Sequence, residues 1–154
     1  MPFDKPFRLG PFMVDRNGGL MPPVDRDARF CVRWRGCVVR ASMRPVGSNP
    51  TQPCGVQLNL QAMLGRVPSS AEASAVERDA VLEALRDVAG QAAVPLHFAL
   101  SADHRAILHG SEELPLPVTS RALVTQVARF LLGVAPYLDF LGEAGVTPVG
   151  RVNT

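Results

Sequence analysis

Between Arg29 and Arg44 the chain alternates in polarity on both sides of one dipeptide, Arg35-Gly36. Two alternating runs joined by two turn-forming residues specify an antiparallel hairpin and leave little else open. Pairing about that turn sets Trp34 opposite Cys37, Val32 opposite Val39 and Phe30 opposite Ala41. Side chains in a strand project alternately, so these six share one apolar face. The other face carries Arg29, Arg33, Arg40 and Arg44 around Cys31, Val38 and Ser42. The spacing therefore predicts a hairpin with a greasy side and an arginine side, and Trp34 is expected in the core with Phe30, Val32, Val39 and Met43.

The sheet extends beyond this hairpin. Val56-Gln57-Leu58-Asn59-Leu60-Gln61-Ala62 alternates without a fault, with the amides facing water. Leu96–Leu100 and Ala106–Leu108 flank a turn near Asp103-His104 and read as a second hairpin, closed by Pro115 and Pro117. Upstream, Phe7-Arg8-Leu9 and Phe12-Met13-Val14 read as one short strand interrupted at Gly10-Pro11. Asp15–Gly19 then tolerates the positive φ needed to reverse the chain into Leu20-Met21.

Two helices are expected. Ser69–Glu72 fits a capping box and Ser74–Glu77 fits another, each leading into a stripe of Val81, Leu85 and Val88 that stops at Gly90. Thr119 or Ser120 caps the last helix, whose stripe runs Leu123, Val127, Phe130, Val134, Leu138 and Leu141. A second apolar flank of Val124, Ala128, Leu131 and Ala135 widens that face, and Pro136 should kink or divide the helix. The fold class is α+β: an antiparallel sheet of several hairpins packed against two amphipathic helices.

With 154 residues, the chain suits one domain. Residues 1–28 would be an N-terminal hairpin extension, 29–144 the core and 145–154 a loose tail. Hydrophobic residues make up 47% and charged ones 19%, too apolar for a disordered chain. No apolar stretch reaches the roughly 18 residues of a membrane-spanning helix. The opening Met1–Pro6 lacks the pattern of a secretory signal, and three cysteines suit a reducing compartment, so a cytoplasmic protein is expected. Residues 1–68 carry ten Lys/Arg against four Asp/Glu, and residues 69–154 carry six against ten. That asymmetry fits an interaction surface or two ends that attract each other.

No residue pattern points to catalysis. Gly47-Ser48 lacks the glycine elbow of a nucleophilic serine, and the glycines form no phosphate loop. Cys31 and Cys37 project to opposite faces of their hairpin, and Cys54 has no basic neighbour. His97, His104 and His109 are the one cluster with metal-binding character. A two-residue turn at Asp103-His104 puts His97 and His109 on opposite faces, whereas a three-residue turn brings them together. No metal and no cofactor is expected. The arginine face could pair with phosphates, but Phe30 and Trp34 lie on the opposite face, where they cannot stack bases between those arginines.

From residue 29 to 143 the predicted order is strand, strand, strand, helix, strand, strand, helix. In this order and its helix patterning the chain resembles the class I type III secretion chaperones. The resemblance implies a sheet backed by helices, a homodimer, and apolar patches that hold an extended protein segment. The expected function is thus a protein-binding module, chaperone-like and without enzymatic activity. Its candidate contact residues are Arg29, Arg33, Arg40 and Arg44 on the sheet and Val124, Leu131 and Ala135 on the last helix. A small-molecule-binding protein or enzyme, and a nucleic-acid binder using the arginine face, are the alternatives.

Overall fold

The computed structural model describes residues 3–23, 25–49, 52–67, 74–90 and 96–143. The chain is α+β, with two antiparallel sheets and two helices. A three-stranded sheet in the order β1-β2-β3 is formed by β1 (Phe7–Leu9), β2 (Phe12–Val14) and β3 (Leu20–Met21). A five-stranded sheet in the order β4-β5-β6-β8-β7 is formed by β4 (Ala28–Trp34), β5 (Cys37–Val46), β6 (Gly55–Arg66), β7 (His97–Leu100) and β8 (Arg105–Pro115). Helix α1 spans Ala75–Gly90 and α2 spans Ser120–Glu143.

The chain divides into two compact units. The first comprises residues 1–31, 40–60 and 111–128. Here Gly10-Pro11 does not interrupt a strand. It is the turn between two, since Phe7 pairs with Val14 and Leu9 with Phe12. Gly10 takes φ 57°, which glycine adopts without a Cβ penalty. The next reversal follows the expected chemistry. Asp15 Oδ1 accepts from the amides of Asn17 and Gly19, both at 2.8 Å, and so closes the loop into β3. Leu20 N donates to Val118 O at 2.7 Å, and the rings of Phe12 and Phe30 lie 5.6 Å apart. The core of this unit holds Val14, Leu20, Ala28, Ala41, Met43, Val56, Leu58, Leu60, Leu114, Val118 and Leu123.

The second unit comprises residues 32–39, 61–110 and 129–154. Arg35 and Gly36 both take positive φ, 50° and 76°, as a two-residue hairpin turn with the right twist requires. Cys37 and Val39 are fully buried. Trp34, expected in the core, is only half-buried, as are Phe30 and Val32. The cause is position: β4 is an edge strand, and the buried places on the apolar face fall to β5 and β6.

Strand β6 keeps its alternation through Ala62 and then loses it, with Met63, Leu64 and Gly65 all buried. The capping box at 74–77 is formed on both sides. Glu77 N donates to Ser74 Oγ at 3.3 Å, and Ser74 N donates to Glu77 Oε2 at 3.1 Å. The earlier box at 69–72, and the tail after residue 144, lie outside the described residues. Helix α1 packs along β7 and buries Leu85.

Helix α2 starts at the expected cap, with Ala122 N donating to Thr119 Oγ1 at 3.1 Å. It runs unbroken past Pro136, which sits on its exposed side. In its second-unit portion it buries Phe130, Val134, Tyr137, Leu138 and Leu141. Two glycines let it come close. A Cβ on Gly110 would lie 2.8 Å from Phe130 Cδ2, and one on Gly133 would lie 3.2 Å from Leu96 Cδ1.

Candidate protein-binding surface

All four arginines expected on the wet face of the hairpin are exposed: Arg29 on β4, Arg40 and Arg44 on β5, and Arg33 near the hairpin tip. The first three belong to the first unit, and there Arg44 heads a polar row that sequence reasoning did not assemble. Arg44 Nε and Nη2 donate to Gln57 Oε1 at 3.0 and 2.7 Å. Gln57 Nε2 donates to Ser111 Oγ at 2.9 Å, and Ser111 Oγ donates in turn to Asn59 Oδ1 at 3.0 Å. The strand order explains the row. Guanidinium groups stand on β4 and β5, amides on β6, and a hydroxyl on β8.

Directionality matters in that chain of bonds. Every link runs from Arg44 towards Asn59, so each acceptor is used and the Asn59 amide retains its N–H donors. Arg29 lies 4.0 Å from Asp27, with Arg29 exposed and Asp27 only half-buried, so the pair adds little. Arg40 and Arg33 meet no ion-pair or hydrogen-bond partner among the described residues. The one carboxylate on the first unit's β8 row is Glu113, beside Gly55 and beyond the amides. The result is a surface rich in oriented donors, positively charged on its β4–β5 side.

The helix candidates are placed less uniformly. Val124 is 66% exposed, whereas Leu131 and Ala135 are half-buried. Leu132, which the flank reading omitted, is the most exposed large apolar residue of α2 at 70%. It falls outside both stripes because it sits one step round the helix from Leu131.

The hairpin thiols Cys31 and Cys37 divide as their strand parity predicts, and Cys54 lies just before β6. Cys31 and Cys54 are exposed and Cys37 is buried, its Sγ donating to Met63 O at 3.2 Å. Burial pushes the Cys37 thiol up from 9.0 to about 11, and the backbone bond only partly offsets it. Among the described residues no group of three or more His, Cys, Asp or Glu could hold a metal ion, and no helix is long and apolar enough to cross a membrane.

The β7–β8 turn takes the longer of its two possible forms. Ala102, Asp103 and His104 form a three-residue loop, with His104 at φ 61°. Ser101 N donates to Arg105 O at 3.0 Å, and the Ser101 hydroxyl is held by Asp103. This register sets His97 directly opposite His109. His104 stands apart from them, its Nδ1 3.3 Å from Arg78 Nη2.

The chain matches no protein family, no curated protein and no solved structure.

Proposed function

We propose that the chain is a protein-binding module whose arginine-bearing sheet face takes up an extended, acidic segment of a protein partner. The observation that carries the reading is the cluster of exposed guanidiniums beside a pre-oriented donor row, Arg29, Arg40 and Arg44 with Gln57, Asn59 and Ser111. Carboxylates are the natural acceptors for such a set, because guanidinium forks bind them through paired hydrogen bonds. A protein segment is favoured over nucleic acid because Phe30 and Trp34 alternate with the arginines and project to the other face, leaving no aromatic between the charges on which a base could stack.

Two further features support the reading. The element order from β4 to α2 is the one that suggests a secretion-chaperone-like module, which holds extended protein segments as a homodimer. Val124 and Leu132 on α2 supply exposed apolar side chains suited to a second copy of the chain. Three free thiols, two of them exposed, suit a reducing, cytoplasmic setting.

The test is titration calorimetry with a glutamate-rich 12-residue peptide and, separately, with a dT oligonucleotide of similar charge. The peptide should bind and the oligonucleotide should not, and the R40E/R44E variant should lose the binding while unfolding at an unchanged midpoint. Binding of the oligonucleotide alone, or peptide binding untouched in R40E/R44E, would overturn the proposal.

A further inference from the structure

The two opposed histidines of the β7–β8 hairpin form a site that the acidic-segment reading does not use. His97 and His109 are exposed and paired directly across antiparallel strands. Residues so paired project to the same face, with Cβ atoms about 4.5–5.5 Å apart. The bond from Ser101 N to Arg105 O marks a hydrogen-bonded pair, and the alternation of such pairs places His97 and His109 in another, four residues along. Two imidazoles at this separation can turn their ring nitrogens onto one point, since metal–nitrogen bonds are only about 2.0–2.1 Å.

Towards the turn, the neighbouring pair on that face brings no competing ligand. The next pair along the same face is Ala99 with Ile107, which brings no charge and, at Ala99, little bulk. Arg105, one pair further, is held by Asp103 at 2.7 Å. Neither imidazole has a hydrogen-bond partner among the described residues, so both rings are free to rotate. The arrangement depends on the loop: with one residue fewer before Arg105, the two rings would stand on opposite faces.

We infer that His97 and His109 form a two-imidazole site for a borderline divalent transition ion, Zn2+, Ni2+ or Cu2+. Imidazole nitrogen suits these ions, whereas Mg2+ and Ca2+ prefer oxygen ligands. With two protein ligands, the ion keeps open positions for water or for a donor from a bound molecule.

The experiment is calorimetric titration of the full, tag-free chain with ZnCl2 and, in parallel, with MgCl2. One Zn2+ should bind per chain and Mg2+ should not. Because even outer-shell changes weaken metal sites by about 10–100-fold, H97A and H109A should each weaken Zn2+ binding at least about tenfold. H104N removes the third imidazole, keeps a residue that tolerates the turn conformation, and should bind as the unmodified chain does. In the unmodified protein, NMR ring signals of His97 and His109, and not those of His104, should shift on adding Zn2+. The site is overturned by absent or Mg2+-equal binding, by Zn2+ uptake that survives the H97A/H109A double variant and so belongs to the exposed thiols, or by loss of uptake in H104N.

Discussion

The Phe130 ring lies against Gly110 so closely that a single added carbon would have no room: a Cβ there would sit 2.8 Å from Cδ2 and 2.9 Å from Cε2. Phe130 is 2% exposed and cannot swing away. G110A should therefore destabilise by about 1–3 kcal/mol, the usual cost of overpacking a filled core. Urea denaturation followed by circular dichroism measures it. A midpoint unchanged from the parent would mean that α2 shifts freely on the strand.

Tyr137 is fully buried, yet its hydroxyl meets no hydrogen-bond partner among the described residues. Burial also pushes that hydroxyl above its ordinary pKa of 10.0. An unsatisfied buried group costs about 1–3 kcal/mol, so Y137F should leave stability equal or raise it by about 1 kcal/mol. A clear loss in the same denaturation measurement would reveal a partner for the hydroxyl.

Cys37 links stability to alkaline pH. Its thiol is raised from 9.0 to about 11 in the folded chain, so below about pH 9 both states hold the proton and stability is complete. Between 9.0 and about 11 the unfolded chain ionises while the folded one does not, and stability falls, by about 2–3 kcal/mol at the upper end. C37A should lose less over that window than the parent chain. In Ellman's assay at pH 8, two thiols of the folded protein should react quickly, Cys31 and Cys54, and the third only on unfolding. Equal reactivity of all three would refute the assignment.

Leu132 separates self-association from packing. At 70% exposure its replacement by glutamate should shift folding stability by no more than about 0.5 kcal/mol. Leu131 is half-buried, so its substitution would mix the two effects. Light scattering should show a dimer for the parent chain and a monomer for L132E. A parent chain that is monomeric at high micromolar concentration removes the homodimer from the proposal.

Local patterns were legible in the sequence. Alternation about Arg35-Gly36, the box at Ser74 and Glu77, and the stripe through Phe130 and Val134 all depend on residues within a few positions of one another. What the sequence hid depends on which strand lies beside which. Ser111 bridges Gln57 and Asn59 across more than fifty residues, and nothing local announces that choice. Trp34 kept a core-like pattern, but the edge position of β4 left it half in water. Gly10-Pro11 looked like an interruption because strands of three residues are too short for alternation to show a reversal. The histidine pairing turned on the length of one turn, which Ala102, Asp103 and His104 do not encode by composition.

The hairpin tip has a practical consequence. Trp34 is the chain's one tryptophan, and the Arg35 guanidinium carbon lies 5.4 Å from its ring centre. The same guanidinium reaches Asp139 of α2 at 2.5 Å. Any loosening of the tip from the helix therefore moves a cation relative to the only indole, and the emission spectrum of the unlabelled protein becomes an optical gauge of whether that clasp is shut.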